Sequence, residues 1–367
     1  MIVRGFITHK EAERYSDCQD FFFINVERKS VAVSDGMSQS IFPQWWAELL
    51  ANAYANEGFK PRTVDEIKNL RPQWMKRVLD FLKSEQEKGK PTWMLENCLT
   101  ERRGAGATLC GVEFGVGSSF SSYVLGDSCI VKVDVNNNIT DFMRSQEGDF
   151  GNHPDYFDSM EGGKGEPKIN DKNLETGGKL LLVTDALSEF LYQKHAEEQE
   201  RPYVEELLDI QSHQEFINLV DKWRKEEKMH NDDTTLVIIE NNGDGELEVI
   251  HKDNLEELVA QESLAKEVAI TTTAEVPDTQ EVDESNSEEQ APDDDTKEEN
   301  ADSLCKTFSK LCVSLSSIIP KKGKRKRKKM NIELEKLKKF VNHLFERIKK
   351  LEERVKKLED GKTSRMQ

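Results

Sequence analysis

The stretch Val31-Ala32-Val33-Ser34-Asp35-Gly36-Met37 places an Asp-Gly pair directly after a short apolar run. Runs of Val, Ile and Leu bounded by Gly, Asp and Asn are typical of buried β-strands. Three further runs carry an acid at one end: residues 122–127, residues 180–185, and residues 231–239, where the acids come first. The sequence therefore predicts four buried strands, each with a carboxylate where the strand meets solvent.

Carboxylates gathered at neighbouring strand ends repel one another and raise each other's pKa unless a cation neutralises them. Sites made only of oxygen atoms suit hard cations such as Mg²⁺ or Mn²⁺. Two such ions can lower the pKa of a shared water and hold a phosphoryl oxygen, which is one route to phosphate-ester hydrolysis. For any single Asp, a turn or a helix cap is the alternative interpretation.

Asp35 and a further acid, Asp20, are predicted to meet from local sequence alone. Residues 21–26 and residues 30–33 are both strand-like, and Glu27-Arg28-Lys29 between them is suited to a turn. Pairing the two runs as a hairpin puts Asp20 and Asp35 at the same end.

In order, the runs VAVSDGM, YVLGDS, LLVTDALSEF and NDDTTLVII resemble the motifs of the metal-dependent Ser/Thr phosphatases of the protein phosphatase 2C family. Gly5–His9 followed by Asp17–Asp20 is similar to the opening of a bacterial branch of that family. The resemblance covers about residues 1–250. It implies an α+β fold, a four-layer α-β-β-α sandwich, with a dinuclear Mg²⁺ or Mn²⁺ centre between the sheets.

The resemblance also implies the catalytic metal ligands. Asp35 would bridge the two ions, and the Gly36 carbonyl would bind one of them. Asp185 and Asp232 would complete the ligands of the other ion. Asp233 stands where the family commonly has Asn, so Asp232 is the preferred ligand of the two.

Further positions match the family's supporting roles. Asp20 would hold metal-bound waters, and Asp127 and Glu189 match positions that bind a third, weaker ion. The family usually has an arginine near the Asp20 motif that binds phosphate. Arg14 is the nearest candidate, one residue out of register, and His9 is its rival.

One departure concerns proton donation to the leaving group. Met37 lies where some eukaryotic members of the family carry a His thought to protonate that group. Bacterial members often have Met there, so water would be the general acid.

Elsewhere, apolar residues three and four positions apart predict helices. The predicted helices run from Pro43 to a stop at Gly58 and over residues 64–85, 186–194, 204–208 and 216–223, and further strands run over 108–114 and 246–251. The aromatic residues of the first two helices are predicted to face a sheet. The polar, glycine-rich segment 141–178 predicts one long loop, which resembles the variable flap beside the family's active site.

The composition of the chain bears on its partners, the state of its cysteines and its location in the cell. Its 367 residues carry a formal net charge of -18, which argues against nucleic acid as a partner of the whole chain. The six cysteines form no CxxC pair, and four of them, in apolar or motif-rich surroundings, are predicted to be reduced core or near-core residues. No signal peptide and no apolar run of membrane-spanning length is evident, so a cytoplasmic location is expected.

The C-terminal third predicts an acidic linker over residues 252–329, after a catalytic domain over residues 1–251. Residues 252–274 are amphipathic, and residues 275–302 hold thirteen acids against one lysine, which predicts a disordered spacer. The linker ends in residues 321–329, KKGKRKRKK, a basic cluster that could bind the acidic spacer, an anionic lipid or nucleic acid.

Residues 330–360 predict a parallel coiled coil and therefore a homodimer. β-Branched residues occupy three of four a positions and Leu every d position, and the g and e charges are complementary in parallel register. The a positions are Leu334, Val341, Ile348 and Val355, and the d positions are Leu337, Leu344, Leu351 and Leu358. A single amphipathic helix docked on the catalytic domain is the alternative.

Two functions from different classes follow. The first is an enzyme that hydrolyses phosphoserine and phosphothreonine in proteins, using a water activated by two metal ions. The second is a non-catalytic oligomeric scaffold, or pseudophosphatase, that binds a partner. A scaffold has no reason to keep a carboxylate at every strand end, so the complete set of acids favours the enzyme.

Overall fold

Two β-sheets packed against each other form the centre of the protein. The computed structural model describes residues 1–146 and 154–273, with side chains through residue 265. In sequence order the strands are β1 (Ile2–Thr8), β2 (Asp20–Asn25), β3 (Ser30–Asp35), β4 (Gly106–Ala107), β5 (Leu109–Phe114), β6 (Ser119–Leu125), β7 (Cys129–Val133), β8 (Ile139–Met143), β9 (Phe157–Asp158), β10 (Lys168–Asn173), β11 (Lys179–Val183), β12 (Thr234–Glu240) and β13 (Glu248–Lys252).

The strand order shows how distant parts of the chain meet. One sheet has six strands in the order β13-β1-β12-β11-β7-β8, and the other has five in the order β10-β6-β5-β3-β2. All neighbours within these two sheets are antiparallel except β1 and β13, which are parallel. Strands β4 and β9 form a small separate pair.

Alternate residues of the central strands serve two different cores. In β11, Leu180 and Leu182 lie in the core between the sheets, whereas Leu181 and Val183 pack against the outer helices. Because successive side chains of a strand point to opposite faces, a strand covered on both faces is apolar throughout. This explains why the motif runs show no polar alternation.

The outer layers are helical. The helices are α1 (Pro43–Asn52), α2 (Arg71–Glu87), α3 (Trp93–Thr100), α4 (Asp185–Ala196), α5 (Glu200–Asp209), α6 (His213–Glu226) and α7 (Leu255–Thr273), with short helical turns at Tyr15–Asp17, Ala53–Glu57 and Glu66–Asn69. Helices α1 and α2 cover the five-stranded sheet, with Trp46 and Trp74 completely buried. Helices α4, α5 and α6 cover the six-stranded sheet, with Trp223 of α6 completely buried. The predicted four-layer α-β-β-α sandwich is confirmed.

Three local predictions were wrong. The segment 141–178 is not one loop, because it contains the end of β8 and the strands β9 and β10. Helix α3 was not predicted, and none of its residues is fully buried. Phe81 of α2, an aromatic residue expected to face a sheet, is 38% exposed. Phe81 contacts the rings of Phe42 and Trp45 at the edge of the helical layer instead.

Helix α7 continues the packed structure past β13. Leu255 and Leu258 in its first turns pack against the core between the sheets, and Glu262 accepts a hydrogen bond from the Tyr15 backbone N–H at 3.0 Å. Within the described segments, no helix combines the length and apolar character needed to cross a bilayer. The basic cluster, the coiled coil and most of the acidic linker lie outside the described residues, so they and the domain boundaries stay predictions.

Candidate active site

The predicted hairpin brings the first two acids together. Strands β2 and β3 pair in antiparallel register with Asp20 directly opposite Asp35. The Asp35 N–H lies 3.2 Å from the Thr108 hydroxyl, and the Asp35 carbonyl accepts a 2.9 Å hydrogen bond from the Thr108 N–H. Both acids are therefore fixed at one end of the five-stranded sheet.

The six-stranded sheet supplies three more acids at one edge. The end of β11 is aligned with the beginnings of both β7 and β12. Asp185 follows β11, Asp127 precedes β7, and Asp232 precedes β12. Asp185 is also the first residue of α4, where the positive end of the helix dipole favours a carboxylate.

Asp20 joins the two sheets at this edge. Its side chain is buried, and Oδ2 accepts hydrogen bonds of 2.8 Å from the hydroxyls of Thr184 and Thr235. These two threonines belong to the region of β11 and β12 in the other sheet. The acids of both sheets therefore border one site at the seam between the sheets.

Several buried oxygens here have no hydrogen-bond partner among the described residues. They are Asp20 Oδ1, Asp127 Oδ1 and Gln19 Oε1. A buried polar atom left without a partner costs about 1–3 kcal/mol, so such atoms are rare in native proteins. These three carboxylate or amide oxygens lie at the motifs predicted to bind metal, and oxygen atoms are the ligands that a hard cation and its bound waters prefer.

The electrostatics of the acids agree with this fit. Burial, followed by the charges of Asp185 and Asp20, raises the pKa of Asp35 well above its usual value. Burial and the charges of Asp232 and Asp127 raise the pKa of Asp185 in the same way. The ionised acids therefore need a compensating positive charge, which divalent cations supply.

Gly36 occupies a position that allows no side chain. A Cβ atom added there would lie 2.8 Å from both the Gln19 carbonyl oxygen and Pro43 Cβ. Gly36 N–H donates to the same Gln19 carbonyl at 3.2 Å, and Gly36 forms an isolated bridge to Ala107. The backbone next to Asp35 is thus held closely, as a carbonyl ligand requires.

The neighbours Asp232 and Asp233 are in different environments. Asp233 is buried, and its two oxygens accept backbone N–H bonds from Lys10 at 2.9 Å and Gln19 at 2.8 Å. Asp232 Oδ1 instead accepts from the Asp233 N–H at 2.8 Å and lies 2.9 Å from Lys10 Nζ. Asp233 therefore fixes the loop after β1, whereas Asp232 faces a side-chain cation.

Lys10 forms an ion pair with Asp232, one of the predicted metal ligands. Within residues 1–146 and 154–273, no three His, Cys, Asp or Glu side chains are arranged to hold a metal ion by themselves. The predicted set of Asp35, Asp185 and Asp232 lies at one edge, but Asp232 is paired with the Lys10 ammonium. The ammonium occupies Asp232 Oδ1, so a cation that binds this oxygen must displace Lys10.

The two predicted phosphate-binding residues occupy different positions. Arg14 is exposed and precedes the short helical turn Tyr15–Asp17. His9 is half-buried, its Nδ1 donates to the Lys10 carbonyl at 2.7 Å, and its ring packs edge-on against Tyr15.

The residues predicted for a third ion are neighbours. Glu189 lies one helical turn after Asp185 on α4 and accepts a hydrogen bond from Gln193 at 3.1 Å. Burial raises the pKa of Asp127 to about 6, and the negative charges of Asp232 and Glu189 act in the same direction.

Lys10 lies at this edge although no sequence pattern predicts it there. It follows His9 in the opening motif and has no repeat or spacing partner that would mark it. Its position follows from the pairing of β1 with β12, in which Thr8 lies opposite Thr234. That register sets the residues after β1 beside the acids before β12.

Comparison with known proteins finds one family and several solved structures that are similar to this chain. The model of the family described as Protein phosphatase 2C matches residues 10–223. Among solved structures, the catalytic domain of the serine/threonine phosphatase PstP, with two manganese ions, is similar at 14% identity and a TM-score of 0.40, covering 64% of this chain and 96% of that one. The serine/threonine phosphatase of S. agalactiae is similar at 16% identity and a TM-score of 0.40, covering 65% of this chain and 99% of that one. No curated protein matched the chain.

Proposed function

Because the chain belongs to the protein phosphatase 2C family, we propose that it hydrolyses phosphoserine and phosphothreonine in proteins at the seam between its sheets. The observation that carries the proposal is the gathering of acids from both sheets at one edge, with buried Asp20 Oδ1 and Asp127 Oδ1 left without partners. A non-catalytic scaffold gives no physical reason for this arrangement.

The site would hold two Mg²⁺ or Mn²⁺ ions. Asp35, the Gly36 carbonyl, Asp185 and Asp232 would supply the ligands. Asp20 would act through waters, since Oδ2 is already engaged by Thr184 and Thr235. The bound cations would supply an activated water and neutralise charge on the phosphoryl group. Asp127 and Glu189 would hold a third, weaker ion.

The chain's own residues would orient and support this chemistry. The two threonine hydroxyls hold Asp20 in one orientation, and Asp233 holds both ends of the loop from Lys10 to Gln19. Met37 has no proton to give, so the leaving serine or threonine oxygen would take its proton from water. The substrate class is phosphoprotein.

The test uses the full chain with p-nitrophenyl phosphate and with matched phosphoserine, phosphothreonine and phosphotyrosine peptides. We expect turnover with Mn²⁺ and none with EDTA. Asp35→Asn and Asp232→Asn should each lower kcat by roughly 100-fold or more, as expected from loss of metal-ion catalysis. Asp244→Asn, an exposed acid outside the site, is the control.

Calorimetric titration with Mn²⁺ accompanies the kinetics. The two site variants should lose Mn²⁺ affinity, and the control should keep it. A folded chain that turns over no phosphoester with either metal would contradict the proposal and favour the scaffold.

A further inference from the structure

Lys10 brings a positive charge into a site made of acids. Its Nζ lies 2.9 Å from Asp232 Oδ1 and donates to the Ser38 hydroxyl at 2.8 Å. The side chain is 14% exposed. Its backbone N–H is fixed by Asp233, so the position of the residue is set while its four-carbon side chain remains able to turn.

Two other cations of the described residues, Arg224 and Arg14, differ from Lys10. Arg224 is buried, and its guanidinium donates to the His9 carbonyl at 3.1 Å, to the Asp232 carbonyl and to the Thr234 hydroxyl at 3.1 Å. Arg224 therefore fixes the backbone at His9 and Asp232. Arg14 is an exposed residue of the loop between β1 and β2.

We propose that Lys10 is the phosphate-binding cation of this site, and that its ammonium moves from Asp232 to a phosphoryl oxygen when a divalent cation takes Asp232. This inference rests on the proposed function. A cation bound at Asp232 repels the ammonium and removes its acceptor, while the arriving phosphoryl group offers new anionic acceptors close by. The ammonium therefore has a partner in both states.

A purely structural ion pair makes a different prediction. If Lys10 only neutralises Asp232, removing it should change Mn²⁺ affinity and leave phosphate affinity as it was. If Lys10 also binds phosphate, removing it should strengthen Mn²⁺ binding, because a competing cation is gone, and weaken phosphate binding. Phosphate affinity therefore separates the two roles.

The experiment compares the full-length wild type with Lys10→Met and Lys10→Arg. Lys194→Met is the matched control, since Lys194 is also 14% exposed and its Nζ lies 2.9 Å from Glu227. Calorimetry measures the Kd for Mn²⁺, and then the Kd for inorganic phosphate in the Mn²⁺-loaded chain. Circular dichroism checks that each variant is folded.

In Lys10→Met, we expect the phosphate Kd to rise roughly 10- to 100-fold, as for loss of a charged hydrogen bond. The Mn²⁺ Kd should fall, Lys10→Arg should retain most of the phosphate affinity, and Lys194→Met should match the wild type. An unchanged phosphate Kd in folded Lys10→Met would overturn the inference. Because the titration needs no turnover, a chain that binds phosphate through Lys10 but hydrolyses nothing would overturn the proposed function alone.

Discussion

Asp127 shows how one residue ties stability to pH. Burial raises the pKa of Asp127 to about 6 in the folded chain, whereas an unfolded Asp titrates near pH 4. Between these values the folded chain keeps a proton that the unfolded chain releases. The contribution of Asp127 to the free energy of unfolding therefore falls as pH rises from about 4 to about 6, and stays low above that.

Urea denaturation of the metal-free chain in EDTA, at pH steps across this range, measures the effect. Asp127→Asn should remove part of the decrease. The prediction fails if the wild type and Asp127→Asn lose stability equally over the range.

The substitution Asp35→Asn should affect the stability of the fold differently with and without metal. In the metal-free chain, the Asp35 carboxylate is half-buried among like charges, so Asp35→Asn at pH 8 should stabilise the fold by roughly 0.5–2 kcal/mol. With Mn²⁺ present, the variant should gain less than the wild type, because metal that binds the native state stabilises it. Thermal melts in EDTA and in Mn²⁺ measure both, and a lower melting temperature in EDTA would contradict the prediction.

The residues of the site differ in how far sequence could predict them. Asp20 and Asp35 were predicted to meet because a hairpin is a local structure, and they are direct partners in the pairing. The Asp232–Lys10 pair joins residues far apart in the chain, and a single lysine carries no periodic signal. The ligand roles themselves stay predictions.

At the scale of elements, Asp233 fixes the loop between β1 and β2. Asp233→Ala would leave the Lys10 and Gln19 N–H groups without acceptors. We expect a loss of about 3–6 kcal/mol in the free energy of unfolding of the metal-free chain, from two hydrogen bonds to a charged group. Urea denaturation measures it, with exposed Asp244→Ala as the control. Equal stability of the two variants would show that the loop does not depend on Asp233.

The sequence predicted well those elements whose apolar side chains form a continuous run or recur at helical spacing. Strands β3, β11 and β12 are continuous apolar runs because both faces are covered. Strand β10 was missed because its sequence, KINDKN, is polar, and as an edge strand it buries almost nothing. Strand β10 is held by backbone pairing with β6, and backbone pairing requires no particular pattern of side chains.

At the scale of the whole molecule, the heptads predict that two chains associate. In the full chain, the pair of changes Leu344→Asp and Leu351→Asp would place charges at two d positions, each at a cost of roughly 2–5 kcal/mol or more. We expect the wild type to sediment at twice the chain mass and this variant at the chain mass. The outward-facing pair Asn342→Asp and Lys349→Asp should remain dimeric. A dimeric Leu variant would contradict the coiled-coil prediction.

The fluorescence of the buried tryptophans can report the unfolding of the two halves of the sandwich separately. Trp46 and Trp74 lie in the helical layer of one sheet, and Trp223 lies in the layer of the other. Indole emission shifts to the red when water reaches the ring, so the Trp223→Phe chain would report mainly the first half. Comparing its fluorescence transition with that of the intact chain shows whether the two halves separate at the seam or melt together, and whether Mn²⁺ binding across that seam couples them.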